Sequence, residues 1–132
     1  MRQNYFKNTY GEMWIEDGIF FVTYNEGVII TKEIMVYLVS ERLRITENTT
    51  FPMLFDTRGM KYATKEAREY SNQGDGIKYL SAAAFVVNST VLQIFMNYYL
   101  KIYPFSFPVR LFIDGDKALQ WLQRFKQEKE AF

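Results

Sequence analysis

No cysteine and no histidine occur in this chain. The first absence excludes disulfides, thiolate nucleophiles and cysteine-bound metals. The second removes the side chain that titrates near neutral pH and the commonest metal ligand. Serine–histidine and cysteine–histidine catalysis are excluded with it. An enzyme of this composition would have to rely on carboxylates, lysine, tyrosine or a bound cofactor. An excess of charge of one sign is missing too, with 16 Lys plus Arg against 15 Asp plus Glu. A nucleic-acid binder normally gathers a basic excess on one face, so no nucleic-acid partner is expected. No apolar run approaches the ~20 residues of a membrane span. Met1 to Tyr10 mixes polar and aromatic residues without the continuous apolar stretch of a signal peptide. The expectation is a cytoplasmic protein with no membrane span.

Aromatic residues are abundant. Twelve Phe, ten Tyr and two Trp make up 18% of the 132 residues, and 48% of the chain is hydrophobic. That length suits one domain, which can bury roughly two-thirds of its unfolded surface. So many rings suggest a second buried surface beyond one small core.

Residues 1–10 read as a flexible N-terminal arm, residues 11–126 as a single domain and residues 127–132 as a frayed C-terminus. Glu12 to Glu16 alternates, Asp17-Gly18 follows, and Ile19 to Tyr24 is a second strand pattern. Two strand runs joined by Asp-Gly are a strong hairpin signal. The first strand should then lie antiparallel at a sheet edge. Thr31 can cap a helix reaching about Glu47, with Ile34, Leu38 and Ile45 at helical spacing and Glu41, Arg42 and Arg44 on the wet side. Pro52 to Asp56 is a short apolar strand, and Thr64 caps a helix to about Gln73. Ala82 to Asn88 is the next strand, its small residues suggesting close approach by a helix or another chain. Ser89 caps a helix from Thr90 to about Leu100 that is apolar round most of its circumference, as in helices buried on more than one side. Pro108 to Asp114 is the last strand, and Asp114 caps a final helix carrying Ala118, Leu122 and Phe125.

The expected fold class is α/β: an N-terminal β-hairpin, then βα repeats. Five strands in sequential order 1-2-3-4-5, the first antiparallel, make a mostly parallel sheet with four main helices. Right-handed crossovers would place the crossover helices mainly on one face. That leaves the other apolar face of Ala82 to Val87 in need of a partner or a second chain. A sequential order has no reversal point, where open α/β sheets usually hold cofactors, and no cofactor is expected.

Four stretches carry a resemblance: Thr64 to Tyr70, Ala82 to Ser89, Asn97-Tyr98-Tyr99-Leu100, and Pro108 to Leu122 with Phe112, Ala118 and Trp121. The chain from about residue 10 to 126 resembles the STAS domain of the sulfate transporter and anti-sigma factor antagonist superfamily. It is most similar to small bacterial STAS-like, or SpoIIAA-like, proteins. The resemblance implies a non-enzymatic regulatory interaction module. In regulatory STAS domains a serine in Asp-Ser-Ser-Gly is phosphorylated. Here Asp56-Thr57-Arg58-Gly59 and the residues up to Glu66 replace that motif, and Thr64 falls near the expected place. Thr64 is therefore a candidate phosphoacceptor that competes with a plain capping role.

Two further groups are candidate sites. The carboxyl ends of the strands gather Arg58, Thr57, Asn88 and Ser89 on one rim, where Arg58 could meet an anion or a partner or simply pair with Asp56. The tract Tyr98, Tyr99, Tyr103, Phe105 and Phe107 could pack internally, form a protein interface or line an apolar pocket, as in lipid-exchange domains of broadly similar plan. The overall expectation is a self-associating module, a homodimer with another regulatory protein as a further candidate partner, with neither metal nor catalytic residues. The alternative is a binder of a small apolar or anionic ligand.

Overall fold

The structure, a computed structural model, describes residues 1–126. Its strands are β1 (Gln3–Lys7), β2 (Gly11–Glu16), β3 (Ile19–Tyr24), β4 (Ile29–Ile30), β5 (Phe51–Asp56), β6 (Tyr62–Ala63), β7 (Leu80–Val86) and β8 (Val109–Phe112). Its helices are α1 (Lys32–Thr46), α2 (Lys65–Ser71), α3 (Thr90–Ile102) and α4 (Gly115–Gln123), with a 3-10 turn over Gly74–Ile77. The α/β class and the four helices are as expected. The main sheet runs β1-β2-β3-β5-β7-β8. The first two pairings are antiparallel and the remaining three parallel.

Six strands, not five, form that sheet. Residues 3–7 are not a flexible arm but an edge strand paired with β2, so the Glu12–Glu16 strand sits one place inside the edge. The added strand lacks clean alternation, and Asn4 interrupts it at φ 52°. Asn8 turns the chain back by accepting from the Tyr10 and Gly11 amides. The β2–β3 turn follows the Asp-Gly signal, since Asp17 and Gly18 both take positive φ, 52° and 76°. A second small sheet pairs β4 with β6. Two-residue strands leave no periodicity to read. The fraying expected for 127–132 lies outside the described residues.

Alternation along the central strands divides the core in two. Met13, Ile15, Phe20, Val22 and Met53 point to the face covered by α1 and α2, where they meet Leu38, Ile45 and Ala67. Ile19, Leu54, Ala82, Ala84, Val86 and Phe112 point to the opposite face, where α4 supplies Ala118 and Leu122. The second face of β7 therefore needs no other chain, contrary to expectation. Its alanines carry so little bulk that α4 closes over them, and Ala82, Ala84 and Ala118 are all fully buried.

All four helices start where a side chain accepts an amide of the first turn. Thr31 caps α1, Thr64 caps α2, Ser89 caps α3 and Asp114 caps α4. Arg42 departs from the sequence expectation. It is not on the wet side but 4% exposed. Its guanidinium donates to the carbonyls of Lys78 (2.8 Å), Asp75 (3.0 Å) and Gly76 (3.2 Å), tying α1 to the turn before β7. Burial pulls its pKa down to about 10, although the Asp75 carboxylate pulls the other way.

Candidate interaction surface and cavity

Helix α3 is built the wrong way round for an amphipathic helix packed on its own sheet. Its sequence, TVLQIFMNYYLKI, carries Lys101 as its one charge. Gln93 and Asn97 are four residues apart and so share a face. That polar face is turned inward, onto the free edge of β8. Asn97 donates to the Leu111 carbonyl (3.0 Å) and accepts from the Leu111 amide (2.8 Å). Gln93 reaches the same carbonyl at 3.5 Å. One amide side chain thus satisfies the outward-facing backbone of an edge strand, a position that otherwise invites pairing with other chains.

The opposite side of α3 is apolar and faces outward. Val91 is 78% exposed, Ile94 65%, Phe95 62% and Tyr98 66%, and Leu92, Tyr99, Ile102 and Tyr103 are exposed as well. No residue of α3 is buried. This overturns the expectation of a helix buried on more than one side. The signal was in the sequence, as a Gln93–Asn97 polar pair in an otherwise apolar helix. Counting only the apolar positions hid it.

Because α3 sits at the β8 edge, the sheet beside it is left partly open. A cavity of about 110 Å³ lies between α1 and the connection from α3 to β8, lined by Tyr24, Met35, Val39, Phe55, Phe85, Phe105 and Phe107 among others. Phe55 stacks on Phe85 with ring centroids 4.9 Å apart, and Phe105 on Phe107 at 5.6 Å. Burial pushes the Tyr24 hydroxyl up to about 12.

The aromatic tract expected from the sequence thus divides. Tyr98, Tyr99 and Tyr103 belong to the exposed face, with Tyr99 and Tyr103 in contact at 4.9 Å between centroids. Phe105 and Phe107 belong to the cavity wall. The rim residues meet one another at the strand ends. Arg58 Nε and its second terminal nitrogen donate to the two oxygens of Asp56, at 2.9 and 2.8 Å. That fork depresses the Asp56 carboxyl below its ordinary value. Thr57 Oγ1 donates to the Val86 carbonyl, and Asn88 Nδ2 to the Arg58 carbonyl. Ser89 accepts from the Leu92 amide as the α3 cap. Gly59 permits this packing, because a Cβ there would fall on the Tyr24 carbonyl oxygen. Thr64 lies apart from this rim, beside β4, where its hydroxyl accepts from the Ala67 amide at 3.2 Å. Among the described residues no His, Cys, Asp and Glu cluster could hold a metal ion, and no helix is long and apolar enough to cross a membrane.

Residues 13–126 match the model of a family described as a domain of unknown function, DUF7793. The chain belongs to the DUF7793 family. No curated protein matches it. Among solved structures, this DUF7793 chain is similar to a protein of the DUF3478 family from Shewanella loihica PV-4, described as having a SpoIIAA-like fold. The two share 16% identity at a TM-score of 0.56, covering 87% of this chain and 96% of the other. The likeness shows that this DUF7793 domain has the SpoIIAA-like fold expected from its STAS-like stretches.

Proposed function

We propose that this DUF7793 domain is a non-enzymatic, STAS-like interaction module of the cytoplasm, probing a regulatory partner or a second copy of itself through the outer face of α3. The observation that carries the reading is the reversed amphipathicity of that helix. A helix that spends its polar side chains on its own sheet and leaves an apolar stripe in water loses stability as a free surface. Binding recovers that loss. The reading assigns the rim of Arg58, Thr57, Asn88 and Ser89 to local structure, because their polar groups already have partners within the chain. It makes no use of Thr64 phosphorylation, since helix capping accounts for that residue.

The test is affinity capture from the source cells with the wild type and with a Phe95→Asp/Tyr98→Asp variant. The reading expects a protein, another copy or a different chain, that the wild type retains and the variant loses. Identical captured sets would sink it.

A second reading rests on the cavity between α1 and the Phe105–Phe107 segment. Its about 110 Å³ is well under the ~300–1,000 Å³ of typical small-molecule sites. It suits a compact apolar group, of the size that fills cavities of ~150 Å³ in protein cores. Native mass spectrometry of freshly purified protein tests this. Added mass retained by the wild type and lost in Phe85→Trp supports a ligand, and a bare chain mass in every preparation removes it.

A further inference from the structure

We propose that the outer face of α3 pairs with α3 of a second copy of this chain, antiparallel and about a two-fold axis level with the Met96–Asn97 peptide. The proposal rests on the interaction-module reading and names its occupant.

Four side chains form the centre of the exposed stripe: Val91, Phe95, Tyr98 and Ile102, all exposed. Their spacing of four, three and four residues keeps them within a narrow arc, the seam geometry of packed helices. The stripe is also symmetric about its own midpoint. In an antiparallel pair centred between residues 96 and 97, Val91 stands opposite Ile102 of the second copy, and Phe95 opposite Tyr98. On one flank, Leu92 falls between Tyr99 and Tyr103 of the second copy. A two-fold interface must be self-complementary, and here the four central positions and Leu92 each find an apolar counterpart.

Charge favours the same partner and the same direction. Lys101 is the one charged residue of α3, so two copies meet without like-charge repulsion at the centre. In the antiparallel arrangement the two Lys101 positions are separated by ~13 Å along the axis, beyond the screening length of ~8 Å at physiological salt. A parallel pair would set Lys101 beside Lys101 and align the helix dipoles unfavourably.

Area is sufficient. With ~150–250 Å² for a large aromatic side chain and the observed exposures, the eight exposed side chains offer on the order of 900 Å². That exceeds the ~300–600 Å² of the largest patch on a typical monomer, and burying most of it would approach the ~800 Å² per partner of a standard interface. A membrane surface is the less suitable occupant. Interfacial helices carry several Lys and Arg on the polar face, whereas α3 has Lys101 alone beside amides that are turned to β8.

The absence of cysteine makes the test clean. Val91→Cys and Ile102→Cys proteins are prepared separately, mixed at tens of micromolar and mildly oxidised. The pairing predicts a disulfide-linked dimer in the mixture and little in either protein alone. Analytical ultracentrifugation should show a wild-type dimer whose dissociation constant rises at least ~100-fold in Phe95→Asp/Tyr98→Asp, with the circular dichroism of the folded chain retained. Efficient cross-linking of Val91→Cys alone overturns the antiparallel pairing. A wild type that is monomeric at every concentration overturns self-pairing altogether. A monomer whose apolar-dye binding the Asp variant abolishes leaves α3 open to another protein, so the module reading survives. A monomer whose dye binding is unchanged in the variant removes both. Flotation of a wild-type monomer with phosphatidylglycerol vesicles, lost in the variant, replaces the second copy with a lipid surface.

Discussion

Arg42 ties α1 to the turn before β7 through three hydrogen bonds. Its three carbonyl acceptors all belong to the short segment between α2 and β7. Arg42→Ala would leave those carbonyls buried without a donor, and such losses cost about 2–4 kcal/mol. Urea denaturation should show that loss, and Arg42→Lys, with its single compact donor group, should recover only part of it. A variant within ~0.5 kcal/mol of the wild type would mean that water replaces the guanidinium. The Asp56–Arg58 fork contributes less, because Arg58 is half exposed and exposed pairs are worth ~0–1 kcal/mol. The folded-state Asp56 pKa lies below its ordinary 3.8, so the contribution is complete above that value and disappears as pH falls through the lower folded-state value. Asp56→Asn should therefore be less stable by under ~1 kcal/mol at pH 7. The difference should close below pH ~3.8, where acid titration of both proteins at fixed urea can follow it. Arg42 was legible in part, since it sits four residues after Leu38 and three before Ile45, on the core-facing side of α1. The rarity of buried arginine outweighed that spacing.

At the level of elements, Asn97 makes the shortest polar ties between α3 and β8. Asn97 holds both backbone groups of Leu111 and so does the work of a neighbouring strand. Asn97→Ala should expose the Leu111 amide and raise its hydrogen-exchange rate at least ~10-fold, with a global loss of about 1–2 kcal/mol. Exchange measured by NMR checks it, and unchanged protection at Leu111 would show that α3 docks by other contacts. Elements whose sequence carries a local code were readable in advance. Each cap was a Ser, Thr or Asp ahead of a helical pattern, and the Asp17-Gly18 turn announced the β2–β3 pair. β1 was not readable, because its pairing comes from the chain returning at Asn8 and not from periodicity within Gln3–Lys7. The direction in which α3 faces depends on where β8 leaves backbone groups free, which is a tertiary fact.

Across the whole molecule, one sheet carries apolar clusters on both faces. The crossover helices α1 and α2 cover one, and the terminal helix α4 covers the other. Parallel order and right-handed crossovers were enough to foresee the first cover. The second depends on the chain folding back over β7 after its last strand, and no rule of crossover handedness governs a terminal helix. Its consequence is that α4 is part of the core and not an appendage. Leu122 is 0% exposed and, with Ala118, sits against Leu54, Ala82, Ala84 and Val86. Leu122→Ala removes a buried isopropyl group from a site walled by Leu54, Ala82, Ala84 and Val86 of the sheet, which can relax little into the space. The loss should fall near the usual 2–5 kcal/mol for such truncations. Because both clusters share the same strands, the loss should appear as one cooperative transition at lower denaturant, with an unchanged slope. Two separate transitions, one for the α4 face and one for the α1–α2 face, would show that the two halves of the core are independent. The dimer interface proposed on α3 involves neither cluster, so if the chain pairs there the same variant should leave the association constant of the folded chain unchanged.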